Sequence, residues 1–144
     1  MNISQDGSKV LAMKYQVFKN ELRCYRDYKK TMHDAQERID DIIYQYAGVR
    51  GISYDKITMS FNENLAIEQR ERMFKALTEP QKEYDHAQRM VERIENNLSK
   101  LDSKMRVICI ALFCDGYSYE HMGNIYGYSA RGLWKKVKKE IEKI

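Results

Sequence analysis

This chain is predicted to be all-α, and three observations carry the prediction. One proline and seven glycines in 144 residues leave little to interrupt a helix, and Lys, Arg, Glu and Gln, all good helix formers, are abundant. Apolar residues recur at alternating steps of four and three along two long stretches, the spacing of one helix face. The last thirty residues carry two helix-start signals separated by a very short turn. Together these predict a long, coiled-coil-like helical hairpin over residues 1–100, with a loop near 48–62, followed by a helix-turn-helix over 101–144.

The first seam runs through Leu11, Tyr15, Phe18, Leu22, Tyr25, Lys29, Met32, Gln36, Ile39, Ile43 and Tyr46. Nine of these eleven are apolar or aromatic. Their span is roughly 54 Å of helix at about 1.5 Å per residue. Ser8 is the expected N-cap. Tyr28, Ala35 and Ile42 widen the stripe, enough to pack on more than one neighbour. Gly48 should end the helix, because "GVRGISYDKITMSFN" has two glycines, β-branched residues and no helical period. In the stretch Gly48–Ile57, the side chains of Ile52, Tyr54 and Ile57 are expected to pack over the helix ends; Asp55 and Lys56 have no nucleophile or metal cluster beside them.

A second helix is expected to start near Asn62 or Asn64, with Leu65, Met73, Phe74 and Leu77 on its apolar side. Pro80 should break it, and the capping-box spacing of Thr78 and Gln81 predicts a restart there. From Tyr84 through Ala87, Val91, Ile94, Leu98, Leu101, Met105 and Ile108 to Leu112 the apolar period does not miss. Two such helices joined by a moderate loop make an antiparallel hairpin, and the same seams offer a surface for a homodimer.

Charge is distributed unevenly. Arg131, Lys135, Lys136, Lys138, Lys139 and Lys143 face only Glu140 and Glu142 in the last fourteen residues, which is +4, the net charge of the whole chain. Residues 1–130 therefore sum to zero. No apolar run approaches the ~18 residues of a membrane span, so no membrane partner is expected. The N-terminus lacks the apolar centre of a signal peptide. Cys24, Cys109 and Cys114, an odd number without a CxxC, read as free thiols of a reducing cytoplasm. Cys109, Cys114 and His121 lack a fourth ligand for zinc, so no metal and no cofactor is expected. With no nucleophile, metal cluster or phosphate loop, the chain is not expected to be an enzyme.

In "DGYSYEHMGNIYGYSARGLWKKVKKEIEKI", Ser118 can cap a short helix ending at Gly127, and Ser129 can cap a second one. Gly123 leaves room for the two helices to cross, and Met122 and Ile125 are expected to face inward. On the last helix Leu133, Val137, Ile141 and Ile144 share a narrow arc, with Arg131, Lys135 and Lys138 opposite and Trp134 on the border. Such a helix fits the major groove of double-stranded DNA, where cations gain affinity by releasing counterions from phosphates. The expected DNA-binding residues are Ser129, Ala130, Arg131, Trp134, Lys135, Lys136, Lys138 and Lys139. Tyr119, Tyr126, Tyr128 and His121 are further candidates for phosphate contacts.

The stretch from Met105 to Ile144 resembles region 4 of sigma-70-type factors: an apolar helix, Gly116 and Ser118, Met122-Gly123, Gly127-Tyr128-Ser129, then a basic helix. "GVRGISYDKI" after a heptad helix looks like a loop of phage-encoded late transcription regulators, the ArpU/RinA-like group. The first resemblance covers about forty residues; the second covers a short loop and the layout. By the first, the base-reading positions correspond to Ala130, Arg131, Trp134 and Lys135, with Ala130 and Trp134 departing from the usual polar residues. Gly132 departs too, at about 1 kcal/mol of helix stability relative to alanine. No counterpart of the promoter-melting sigma region is present. The resemblance implies a sequence-specific activator of phage or prophage late genes, nucleoid-associated, with RNA polymerase as a partner. The alternatives are a small terminase subunit, or a non-DNA interaction protein acting through the hairpin.

Overall fold

The structure, a computed structural model, describes residues 3–47 and 67–144, and all regular structure among them is helical. Helix α1 spans Ile3–Arg23 and α2 spans Tyr25–Ala47. They are separated only at Cys24, whose amide donates to the Glu21 carbonyl three residues back (3.1 Å). Ser8 lies inside α1, so the expected cap at that position is not the helix start. The expected loop at 48–62 and the caps at Asn62 and Asn64 lie outside the described residues.

Helix α3 spans Ile67–Ser99 without interruption. The predicted restart at Thr78 does not occur. Thr78 Oγ1 donates to the Phe74 carbonyl (3.0 Å), and Gln81 Nε2 donates forward to Asp85 Oδ1 (3.0 Å), so no capping box forms. An internal proline costs roughly 3 kcal/mol. Full burial of a large apolar side chain contributes about 1.5–3 kcal/mol, and Met73, Leu77 and Ala87 are fully buried on either side of buried Pro80. Packing outweighs the local rule. No helix among the described residues is long and apolar enough to cross a membrane.

The chain divides into two units, Met1–Asp27 with Met90–Ile144, and Tyr28–Arg89. In Tyr28–Arg89, Ile39 and Ile43 of α2 pack with Met73 and Leu77 of α3, flanked by Ile42, Tyr46, Phe74 and Tyr84. Tyr28 meets His86 edge-on (6.2 Å between centroids), and Arg38 pairs with Glu83 at 3.0 Å. Rising numbers on α2 thus meet falling numbers on α3: this is the antiparallel hairpin. Of the two polar seam positions, Lys29 is exposed and Gln36 bonds Asp40 at 3.0 Å.

In the other unit, helix α4, Ser103–Cys109, passes into a π-helical turn, Ile110–Cys114, and is followed by α5, Tyr119–Tyr126, and α6, Ala130–Glu142. Asp102 caps α4 through the Met105 amide (2.7 Å), and Arg106 ties back to the Leu98 and Leu101 carbonyls (3.1 Å each). The π-turn closes with the Asp115 amide on the Ile110 carbonyl (3.1 Å), after which Gly116, at φ +76°, turns the chain. Here α1 joins the C-terminal helices. Tyr15 meets Phe113 edge-on at 6.3 Å, and Lys14 Nζ bonds the Glu142 carbonyl (3.4 Å) and that of Ile144. Glu21 pairs with Arg93 at 3.0 Å, and the Tyr25 hydroxyl donates to Glu95 at 2.6 Å. The sequence-based boundary between residues 100 and 101 therefore differs from the observed division: residues 1–27 and 90–100 pack with 101–144.

Candidate nucleic-acid interface

The candidate interface is set by two capped helices and a turn. The Ser118 hydroxyl accepts from the His121 amide (3.0 Å) and starts α5. Gly127, at φ +80°, ends it in the left-handed conformation that favours glycine. The Tyr128 amide donates to the Gly123 carbonyl at 2.8 Å. A Cβ at Gly123 would lie 2.5 Å from the Tyr128 carbonyl oxygen, so only glycine fits this crossing. The Ser129 hydroxyl then accepts from the Gly132 amide (3.0 Å) and starts α6.

Leu133, Val137 and Ile141 are all 0 % exposed, which fixes the rotation of α6 about its axis. Met122 is buried as expected, but Ile125 is 59 % exposed. The inward face of α5 is instead Tyr119, Met122, Gly123 and Tyr126, spaced i, i+3, i+4, i+7, and Ile125 falls well outside that arc.

The face of α6 opposite its buried stripe carries Arg131, Lys135 and Lys139, four residues apart and all exposed. None of the three has a hydrogen bond or an ion pair among the described residues. The other cations are engaged. Lys136 pairs with Glu140 at 3.2 Å, and Lys143 with the same carboxylate at 3.4 Å. The hydrogen bond from Lys136, helped by Lys143, holds the Glu140 carboxyl below its usual range. Lys138 Nζ lies over the Trp134 ring, 5.1 Å from its centroid, and Trp134 remains 38 % exposed. Ser129 is committed to its cap; Ala130 is exposed in the first turn.

One of the further candidates is placed differently from expectation. The Tyr119 hydroxyl bonds that of Tyr15 at 2.8 Å, and burial, reinforced by this bond, pushes its phenol pKa up, so Tyr119 is a structural link to α1 rather than an open phosphate donor. His121 is exposed and stacked on Tyr117 (5.1 Å, 16°). Sequence reasoning also missed two neighbours. Leu11 and Ala12 of α1 line a groove with Trp134, Lys135, Lys138, Lys139 and Glu142, so α1 flanks the basic face. Lys104 of α4 lies over the rings of both Tyr126 and Tyr128, at 5.5 and 5.2 Å. Neither is encoded in local spacing.

Buried Cys109 is held as a thiol, its pKa raised to about 12 chiefly by desolvation. Cys114 is raised by burial too, and its Sγ donates to the Leu22 carbonyl (3.2 Å). Cys109 is buried and Cys114 half-buried. Compared with models of known families, with curated proteins and with solved structures, the chain matches none.

Proposed function

We propose that this protein is a sequence-specific DNA-binding regulator of transcription that lays α6 in the major groove of duplex DNA. One observation carries the reading. Arg131, Lys135 and Lys139 form an uncompensated cationic stripe on a helix whose opposite side is wholly buried. Cations without counter-charges gain most from releasing ions condensed on phosphates. A short helix before a tight turn, with the following helix presented to solvent, suits entry into a groove about 12 Å wide.

The likeness of Met105–Ile144 to sigma region 4 supports the narrower proposal, activation of phage or prophage late genes. Protein partners complete it. Val10, Met13 and Val17 of α1 are 62, 65 and 43 % exposed and form an i, i+3, i+7 stripe suited to a second copy of the chain or to RNA polymerase.

The test is a salt titration of binding to a random duplex, followed by a genome-wide binding map. Affinity falling steeply with salt, and an enriched motif near promoters, are the expected results. Absence of duplex binding at about 50 mM salt, where phosphate contacts are strong, rejects the reading in favour of a protein-only partner.

A further inference from the structure

Lys104 stands in the first turn of α4, remote in sequence from the basic helix, yet its ammonium lies over both tyrosines of the turn between α5 and α6. Tyr126 closes α5 and Tyr128 follows the left-handed Gly127. Both rings are half-buried, while Lys104 is exposed. Neither tyrosine hydroxyl, nor the Lys104 ammonium, has a hydrogen-bond or ion-pair partner among the described residues. Three polar groups without hydrogen-bond or ion-pair partners are thus gathered at the entrance to α6, where Tyr128 precedes Arg131 by three residues and Tyr126 by five.

We propose that Lys104, Tyr126 and Tyr128 form a phosphate clamp that grips the DNA backbone beside the groove α6 enters. The proposal rests on the DNA-binding reading above and adds a contact from a separate helix. The chemistry is that of a phosphodiester: tyrosine hydroxyls and lysine ammonium groups donate to phosphate oxygens and set register without reading bases. The rings hold the ammonium by its attraction to their π faces, which is weak at an exposed site. A phosphate therefore draws it away at little cost. The rings are held in turn by the turn itself, where the Tyr128 amide is bonded to Gly123 and its carbonyl lies against that residue. The clamp is then rigidly placed relative to Arg131, as a register-setting contact must be.

The experiment compares the full-length protein with Lys104→Ala, Lys104→Arg and the double variant Tyr126→Phe/Tyr128→Phe. Binding to a genome-selected duplex and to its scrambled counterpart is measured at several salt concentrations. Lys82→Ala, in the other unit, controls for loss of any surface lysine. Circular dichroism checks each fold. Lys104→Ala is expected to weaken both duplexes equally, about three- to tenfold at low salt, and to reduce the slope of log affinity against log salt by about 0.9. Lys104→Arg should restore the slope. The tyrosine variant, which keeps both rings, should lose affinity for both duplexes with the slope retained. If Lys104→Ala has the wild-type slope while Lys139→Ala lowers it, the clamp is wrong and the DNA-binding reading stands. If the wild type shows no salt-dependent duplex binding, both fall.

Discussion

Gly123 and Tyr128 are locked to one another: the Gly123 carbonyl accepts the Tyr128 amide at 2.8 Å, and a Cβ at Gly123 would lie 2.5 Å from the Tyr128 carbonyl oxygen. The obstructing atom is backbone, tied down by that hydrogen bond, and cannot swing aside as a side chain would. Gly123→Ala is expected to cost about 1–3 kcal/mol, the range for overpacking, and to weaken duplex binding by tilting α6. Gly127→Ala is the comparison. Its Cβ meets nothing within 4 Å, so only the φ of +80° is strained, at about 1–2 kcal/mol. Denaturant titrations of both variants, with duplex binding measured where each is folded, check this. Equal duplex affinity for Gly123→Ala and wild type would show that the crossing does not set the interface.

The attachment of α1 to the C-terminal helices gives the second prediction. Phe18 is 6 % exposed in the unit that also holds α4 to α6. Phe18→Ala should destabilise that unit by about 3–5 kcal/mol. Residues 101–144 alone would lose the α1 and α3 parts of their core, Tyr15, Phe18, Leu22, Ile94 and Leu98. Far-UV circular dichroism of that fragment should show much less helix per residue than the intact chain. A fully helical fragment that binds duplex with unchanged affinity would make α1 dispensable.

The thiols give the third. Thiolate is the nucleophile in alkylation, and burial keeps Cys109 protonated to about pH 12. Cys24 is exposed. At pH 8, iodoacetamide should modify Cys24 first, Cys114 slowly and Cys109 only on unfolding, as read by mass spectrometry of peptides. The linkage has a definite sign. Well below pH 9.0 the Cys109 thiol keeps its proton in both states and stability is unaffected; through 9.0 and up towards about 12 the unfolded thiol ionises while the folded one largely does not. The native state then binds more protons, so stability falls as pH rises. Cys109→Ala should shallow that alkaline decline.

How far the fold was legible follows from the range over which each signal acts. Ser118, Gly127 and Ser129 work within three residues, so the helix-turn-helix could be read directly. The buried stripe Leu133, Val137, Ile141 is likewise a matter of helical period. Thr78 was misread because a local capping pattern was outweighed by burial of Met73, Leu77 and Pro80. Ile125 was misread because an eight-residue helix has room for one inward arc, and two tyrosines and a glycine occupy it with Met122. The bond between Tyr15 and Tyr119 spans 104 residues. No spacing encodes such a contact, nor the meeting of Lys104 with Tyr126 and Tyr128. The cationic stripe was visible as composition, but which lysines are neutralised by Glu140 required the packed helix.

That last distinction leads to the final prediction, which separates the cations of α6. Arg131 and Lys135 lie in its first two turns, where a recognition helix meets base edges. Lys139 continues the same stripe one turn further along, where the proposed docking would bring it to the phosphate backbone. Lys136 is already offset by Glu140, 3.2 Å away. Arg131→Ala should lose about 1–3 kcal/mol on the cognate site and relax preference at one base pair. Lys135→Ala should behave similarly at a neighbouring pair. Lys139→Ala should weaken all duplexes alike and lower the salt slope by about one. Lys136→Ala should do less than Lys139→Ala, because it frees Glu140 from one partner while removing a charge that was partly spent. Fluorescence anisotropy on cognate and scrambled duplexes at several salt concentrations reads all four. Should Arg131→Ala lose equal affinity for both duplexes, α6 would act as an electrostatic clamp without base reading, and any sequence preference would have to come from another part of the chain.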